Sequence, residues 1–509
     1  MYELPFKKDN IPFNRFATKV DCSHNAVWKI SSLKKWIDIT SKLGYNSLML
    51  YTEDTYEIDG HPYFGCGRGR YSKEELKELD AYALERGVEL IPSIATLSHL
   101  PTIFRWPQYA TILDTYDILL CEDERTYELI DAMLATCAEC FSSRVIELNM
   151  DIPELLGRGK YLSNRGYEPR ADIFKRHTQK VSELAKKHGF KTVLISDKNE
   201  TKSNTDSECW ASGEIFIRNS FNPENRYSIA ALQKQIRDAR NNSVENMVVC
   251  LFGDDGGECS RFAGLPGVFY ASEIAKGGSD EQLIKRNFEE IFGISFDQFM
   301  LMDLTQKNEI TEYGVHPTRY ILYNDPFMGL FDKTIPEYTR AEHEKLAVQL
   351  SPLCDHPDWG YMFRTLRDLC AVTAEKCDIG LRIHAAYQCG DKEKLHKLAD
   401  DLRHVRDLVE VFYKSFRKQW MTENKGHGFD VSDVRIGGVM MRLTHCADRL
   451  EAYALGAVDR IAELDDALLD IRTPLSQDYG KRKYLNSLDH CANLYCDIVS
   501  TNVLFKHRR

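Results

Sequence analysis

The sequence predicts a TIM-like β/α barrel followed by an α-helical C-terminal domain. Up to about residue 275, short apolar runs alternate with amphipathic helical stretches, which is typical of a parallel sheet with crossover helices. One apolar run ends at Asp151 and passes into a loop that contains Pro153 and Gly157, as happens when a buried strand brings a carboxylate to a barrel rim. Beyond residue 275 the strand signal fades, and long stretches with a period of 3.6 residues replace it.

Seven runs in the first part are predicted strands, with helices between them. The strands cover residues 17–21, 47–51, 89–94, 145–150, 192–196, 214–218 and 247–252. Helices are predicted at 32–43, at 73–86 and at 228–240. The second of these begins after Ser72 as N-cap, has acidic residues in its first turn, and ends at Gly87.

The spacing of these runs leaves the barrel one β/α unit short. A closed eight-stranded barrel needs two strands and two helices between residues 196 and 247, but the sequence offers one of each. Two alternatives remain open. Either the polar segment 197–212 replaces the missing unit with irregular chain, or the barrel is open on one side.

The second part is predicted to be helical. Helices are expected at 339–349, 361–387, 391–419 and 434–469, with Asp391 as one N-cap. We therefore divide the chain into a barrel domain, residues 1–275, and a helical domain, residues 276–509.

Composition restricts the class of protein. The 509 residues are 43% hydrophobic and 28% charged, as in soluble globular proteins. A net charge of −11 argues against a nucleic-acid or anionic-membrane partner. The N-terminus does not resemble a signal peptide, and no apolar run approaches the roughly 20 residues of a membrane span. We therefore expect a cytoplasmic protein whose 15 cysteines are mostly reduced core thiols.

Polar side chains gather where the predicted strands end, and this is where barrels carry function. Individually, each has a structural explanation: Glu53 and Asp54 could cap a turn, and His99 could be a buried histidine. Together they predict a site for a polar ligand. No metal or cofactor is expected, because the sequence lacks metal-ligand spacing and phosphate-binding glycine motifs, and Cys137 with Cys140 fits helix packing. The rim residues are Ser23, His24, Asn25, Tyr51, Glu53, Asp54, His99, Asp151, Glu154, Asp197, Asp254, Asp255 and Glu258.

Several motifs resemble family 20 glycoside hydrolases, the β-N-acetylhexosaminidases, in particular the bacterial subgroup with a helical C-terminal domain. The similarity covers essentially the whole chain. The motifs are MLYTEDTYE at 49–57, YFGCGRGRYS at 63–72, LIPSIATLSHL at 90–100, FRWP at 104–107, GRGKY at 157–161, FGDDGGECSRF at 252–262 and VRIGG at 434–438.

The resemblance implies a retaining mechanism in which the sugar's 2-acetamido oxygen attacks its own anomeric carbon. An Asp-Glu pair after the fourth strand orients the acetamide and protonates the leaving oxygen. Asp151 matches that Asp, whereas Ile152 occupies the Glu position. An alkyl side chain cannot donate a proton, and loss of a general acid costs about 10²–10⁴-fold in rate. Glu154 is the nearest alternative acid.

Other positions also depart from the family pattern. The chain has Ser23-His24-Asn25 for Ser-Arg-Asn, Phe252 for Trp, and Phe216-Ile217-Arg218 for a Trp-Thr-Trp wall of the acetamide pocket. His99, Asp254 and Glu258 match sugar-contacting positions, and we add His24, Tyr51, Glu53, Asp54 and Trp210 as candidate contacts.

Three functional hypotheses follow. We favour a family-20-like protein with weak or lost hydrolysis that still binds an N-acetylhexosamine-type sugar or another small polar ligand. One alternative is an active exo-β-N-acetylhexosaminidase that uses Asp151 with a displaced acid, Glu154. The other is a non-catalytic interaction partner of an active paralogue, and a homo-oligomer is also left open.

Overall fold

Seven parallel strands form a closed barrel in chain order. The computed structural model describes residues 11–150, 153–196, 207–254, 256–306, 317–329 and 331–468. The last strand pairs with the first from Arg15↔Asn246 to Val20↔Leu251, so the predicted TIM-like barrel is confirmed and the open-barrel alternative is wrong. The strands are β1 (Arg15–Asp21), β2 (Ser47–Thr52), β3 (Glu89–Ile94), β4 (Val145–Glu147), β5 (Lys191–Ser196), β6 (Glu208–Glu214) and β7 (Asn246–Leu251).

Helices of the first part surround this barrel. They are α1 (Ile30–Leu43), α2 (Lys73–Glu85), α3 (Glu124–Cys140), α4 (Lys160–Arg165), α5 (Arg170–Lys187), α6 (Asn225–Asn241) and α7 (Leu265–Ala275). The predicted start of α2 is confirmed, because Ser72 and Glu75 form a reciprocal capping box. A short antiparallel ribbon, Leu113–Thr115 with Ile118–Leu119, lies between β3 and α3. Short 3₁₀ helices occupy Ile103–Arg105, Pro107–Ile112 and Arg261–Gly264.

The predicted sixth strand, residues 214–218, is wrong in position. The strand is Glu208–Glu214, which pairs with β5 and β7, so it ends where the prediction began. Gly213 explains part of this choice, because a Cβ there would lie 2.4 Å from Leu232 on α6. The apolar residue Ile215 leaves the strand and lies against Gly264 and Gly267 under α7. Burial in a loop therefore produced a strand-like apolar pattern.

The second part is helical, as predicted. Its α-helices are α8 (Glu281–Phe292), α9 (Phe296–Phe299), α10 (Pro317–Tyr323), α11 (Thr339–Leu350), α12 (Gly360–Lys376), α13 (Ile379–Gln388), α14 (Lys392–Glu423), α15 (Phe429–Ala454) and α16 (Ala462–Asp465). The 3₁₀ helices are Met300–Gln306, Asp332–Thr334 and Ser351–Asp355. The helix predicted at 361–387 is divided into α12 and α13, and the one predicted at 434–469 is divided at Gly456, which has a left-handed φ of 76°.

Hydrophobic packing continues across the predicted domain boundary. Phe288 and Phe292 of α8 and Phe363 of α12 belong to the same buried cluster as the barrel helices, while α14 and α15 form a second cluster. The boundary at residue 275 stays a prediction. The thirteen described cysteines are free, and Cys137 and Cys140 are buried on α3. Within the described ranges, no helix is long and apolar enough to cross a membrane.

Candidate ligand-binding site at the barrel mouth

His24 is the centre of a charged network at the carboxyl end of the barrel. Its Nδ1 lies 2.6 Å from Oδ2 of Asp21, the last residue of β1. Asp21 is fully buried and also accepts hydrogen bonds from the backbone N–H groups of Ser23 (2.8 Å) and Gly253 (2.7 Å). Burial would raise the pKa of Asp21, but the charge and hydrogen bond of His24 and the charge of Arg261 lower it well below its ordinary value.

The other ring nitrogen of His24 faces two further carboxylates. Nε2 lies 3.7 Å from Oε1 of Glu53 and 4.0 Å from Oδ1 of Asp254. Burial would lower the pKa of His24, but the charges of Asp21 and Glu53 raise it to about 10. His24 is therefore an imidazolium at neutral pH. Tyr51 donates to Glu53 at 3.3 Å, so four predicted site residues, His24, Tyr51, Glu53 and Asp254, come together.

Arg218 extends this network to the end of β6. Its Nη2 donates to Oε2 of Glu214 at 2.5 Å, and its Nη1 donates to Oδ2 of Asp254 at 3.4 Å. The side chains of Arg218 and Asp254 are 36% and 32% exposed, so they can contact a ligand in the mouth. Sequence analysis missed Glu214 as a site residue, because it placed this residue at the beginning of a strand instead of at the carboxyl end.

A buried ion pair lies inside the barrel below Tyr51. Lys19 of β1 and Glu147 of β4 are 2.8 Å apart, and Ser93 donates a hydrogen bond to Glu147. The Lys19 ammonium lies 4.9 Å from the centroid of the Tyr51 ring and 5.2 Å from that of Phe252. The interior beneath the mouth therefore contains a charged pair and two aromatic rings. Of these residues, only Tyr51 was predicted to belong to the site.

His99 and Asp54 support the mouth from the loops after β2 and β3. His99 has a left-handed φ of 64°, and its N–H donates to Asp117 at 3.2 Å. Burial raises the pKa of Glu53 against the opposing charges of His24, Arg68 and His99. Asp54 is buried and accepts from Arg68 Nε (3.1 Å) and Thr102 Oγ1 (2.6 Å). Asp54 therefore joins the two loops, which fits the structural explanation better than the sugar-binding one.

Two predicted contacts lie away from the mouth. The Glu258 side chain is 1% exposed and forms ion pairs with Arg319 (3.1 Å) and Arg435 (3.2 Å), both from the helical part of the chain. Trp210 is fully buried inside the barrel, with the Arg15 guanidinium 5.7 Å from its ring centroid. Since β6 begins at Glu208, Trp210 lies near the opposite end of the strand from the mouth.

The proposed catalytic positions are only partly described. Asp151 and Ile152 lie outside the described residues, as do Asp197 and Asp255. Glu154 is described, and it is exposed in the loop that follows β4.

One trio at the mouth has the donor atoms for a cation. Asp21, His24 and Asp254 each offer a ligand atom within 4.8 Å of the others. However, Asp21 Oδ2 is bonded to the His24 ring and to the Gly253 N–H, so these atoms already satisfy one another. The expectation that the protein needs no metal stays a prediction.

Glu214 gives the mouth a testable pH dependence. Burial raises the pKa of Glu214 from 4.5 to about 7, with Arg218 opposing and Asp254 adding to the shift. The folded protein therefore holds a proton that the unfolded chain releases between these pH values. This stabilisation is complete below the unfolded pKa and is lost as pH rises through the folded one.

We expect Glu214→Gln to remove that pH dependence. Relative to the native chain, the variant should gain on the order of 1–3 kcal/mol in unfolding free energy between about pH 5 and pH 8. Urea unfolding across this range measures the gain. Glu290→Gln, on the exposed face of α8, is the control. Its unfolding free energy should change with pH in the same way as that of the native chain. Parallel profiles for Glu214→Gln and the native chain would contradict the assignment.

The closed parallel barrel and the helical C-terminal part define the class of the protein as a β/α-barrel protein. Residues 295–483 match the family model described as the Glycoside Hydrolase 20C C-terminal domain. This match supports the resemblance to glycoside hydrolase family 20 that the motifs predicted. No curated protein matches the chain.

Similar solved structures carry related descriptions. One is the GH20 exo β-N-acetylglucosaminidase of Vibrio harveyi in complex with N-acetylglucosamine, at 12% identity and a TM-score of 0.44, covering 57% of this chain and 58% of that one. The β-N-acetylhexosaminidase of Bacteroides fragilis NCTC 9343 is 17% identical with a TM-score of 0.45, covering 57% and 72%. The N-acetyl-β-hexosaminidase of Streptomyces plicatus in complex with Thio-NAglucal is 15% identical with a TM-score of 0.40, covering 56% and 70%. The chain thus spans 58% of the length of the Vibrio protein.

Proposed function

We propose that the protein binds an N-acetylhexosamine-type sugar or another small polar ligand at the barrel mouth, and that its hydrolytic activity is weak or lost. The observation that supports binding is the partly exposed network of His24, Asp254 and Arg218 at the carboxyl ends of the strands. The imidazolium and guanidinium groups offer N–H donors, and the carboxylate offers acceptors. Alternating charged donors and acceptors are what a ligand rich in hydroxyl groups requires.

The proposed loss of hydrolysis depends on the residue that follows Asp151. By the family resemblance, the proton donor should occupy the position of Ile152, and a hydrocarbon side chain has no proton to give. Glu154 is exposed to solvent in the loop after β4, which does not favour its use as the proton donor of a site that excludes water. Binding without efficient bond cleavage is the function that both features support.

Binding and turnover should be measured on the same preparation. We expect saturable heats of binding for N-acetylglucosamine or N-acetylgalactosamine, weakened about tenfold by Asp254→Ala because a charge-assisted hydrogen bond is lost. Glu85→Ala, with a 73% exposed side chain on α2, is the matched control and should bind like the native chain. Turnover of an aryl N-acetylhexosaminide should be at least about 10²-fold slower than in an active family member.

Two results would contradict the proposal. If neither sugar binds saturably, the proposed N-acetylhexosamine-type ligand is wrong. If turnover reaches the rate of an active family member, the proposed loss of hydrolysis is wrong. The expected cytoplasmic location and the homo-oligomer stay predictions.

A further inference from the structure

A cavity of about 210 Å³ lies between three helices of the helical part. Residues 323–326 line it at the end of α10, Lys376 lines it at the end of α12, and Arg435, Gly438 and Arg442 line it from α15. Pockets for drug-sized ligands measure roughly 300–1,000 Å³, so this cavity suits a smaller molecule or a single charged group. None of the residues in the charged network of the barrel mouth lines it.

Basic side chains dominate the lining of this cavity. Lys376, Arg435 and Arg442 are positively charged, whereas Asp325 is the one acidic residue among the described residues that line it. Asp325 accepts hydrogen bonds from Arg442 Nε at 2.7 Å and Nη2 at 3.2 Å, and from two backbone N–H groups. Asp325 therefore fixes the Arg442 guanidinium at the wall of the cavity, and its own acceptor capacity is largely used.

Lys376 is a buried cation in the same lining, with 5% of its surface exposed. Its Nζ donates to the carbonyl of Ile321 at 2.9 Å and to that of Asn324. These two carbonyls are its acceptors within the described ranges, and an ammonium group has three N–H donors, so one N–H is left for a ligand. Burial lowers the pKa of Lys376 to about 8 against the charges of Asp332 and Asp325. Lys376 is therefore still mostly charged at pH 7, and an anion in the cavity would offset the cost of burying it.

Two consecutive glycines give this cavity access to solvent. Gly437 and Gly438 lie in the interior of α15, where glycine destabilises a helix relative to alanine. A Cβ at either position would meet no described atom within 4 Å, so helix packing does not require glycine there. Gly438 is exposed and lines the cavity, so the cavity reaches the surface beside it. Both glycines belong to the motif at 434–438, which the mouth does not use.

We propose that this cavity binds a compact oxyanion, a phosphate or carboxylate group, between the Lys376 ammonium and the Arg442 guanidinium. Both groups donate charge-assisted hydrogen bonds, and the planar fork of a guanidinium fits the oxygens of either anion. The inference does not depend on the proposed function, because it concerns different residues and a different class of ligand. Arg435 connects the two regions, since it lines the cavity and its Nη1 lies 3.2 Å from Oε1 of Glu258 in the segment after β7.

Calorimetric titration of the full chain with inorganic phosphate, sulfate and malonate, at constant ionic strength in potassium chloride, tests the site. We expect saturable binding of at least one of them, and the comparison shows whether the site prefers tetrahedral anions or carboxylates. Gly438→Leu places a side chain in the cavity and should abolish this binding. Gly437→Leu is the matched control, because it adds the same side chain to the same helix at a position that does not line the cavity. It should bind like the native chain.

A second pair of variants tests the charge. Arg442→Gln should weaken anion binding about tenfold, because a charge-assisted hydrogen bond is lost. Arg460→Gln removes the same charge from a side chain that is 69% exposed and should bind like the native chain. The proposal is overturned if none of the three anions binds saturably, if Gly438→Leu binds like Gly437→Leu, or if Arg442→Gln binds like Arg460→Gln. Cooperative urea unfolding identifies the variants that are folded, and if Gly438→Leu is not, the arginine pair decides.

Discussion

The Ile152→Glu variant should hydrolyse an aryl N-acetylhexosaminide about 10²-fold faster than the native chain. The family resemblance places the proton donor at this position, directly after Asp151, and a positioned general acid contributes about 10²–10⁴-fold. We expect the lower end of that range, because Phe216-Ile217-Arg218 replaces the aromatic wall that positions the acetamide in the family. Initial rates at saturating substrate measure the gain.

Ile152→Gln is the matched control, since it has the size and polarity of the Glu side chain but no acidic proton. It should remain as slow as the native chain. Asp151→Asn in the Ile152→Glu background should abolish the gain, because the family resemblance implies that Asp151 orients the acetamide group of the sugar. If Ile152→Glu is no faster than Ile152→Gln, the missing proton donor does not limit the rate and the proposed cause of lost activity is wrong.

Most of the barrel could be predicted because its strands are short apolar runs that end in polar residues. β3 has the predicted bounds, and six of the seven strands overlap their predictions over most of their length. The sixth could not be located from local pattern, since Glu208–Glu214 contains Ser212 and Gly213, which disfavour strands. Pairing with β5 and β7 and close contact with α6 decide its position, and both depend on residues distant in sequence.

The mouth was predicted in part for the same reason. His24, Tyr51, Glu53 and Asp254 follow correctly placed strands, and they meet as expected. Glu214 was missed with its strand. The orientation of the Glu258 side chain depends on two arginines that lie more than 60 residues away along the chain. The motif around Glu258 does not reveal these partners. Sequence position places a residue at the rim, but its ion-pair partners decide whether its side chain faces the mouth.

Glu258 connects the barrel to the helical part through buried charges. Oε1 accepts from Arg435 Nη1 at 3.2 Å and from the Tyr323 hydroxyl at 3.3 Å, and Arg319 Nε lies 3.1 Å from Oε2. The Arg435 and Glu258 side chains are 0% and 1% exposed, so water cannot replace a lost partner. Breaking such a pair from one side leaves a buried charge without full compensation.

Arg435→Met should therefore lower the unfolding free energy by about 3 kcal/mol, the lower end of the range for buried pairs, because Arg319 still neutralises Glu258 in part. Urea unfolding measures the loss. Adding Glu258→Gln should recover part of it, since the double variant buries a neutral amide, and the double-mutant cycle isolates the pair. Lys397→Met breaks the Lys397–Glu393 pair, whose side chains are 72% and 82% exposed, and should have no measurable effect. If Arg435→Met were as stable as Lys397→Met, the Glu258 pair would be dispensable, and hydrophobic packing would be left to hold the barrel and the helical part together.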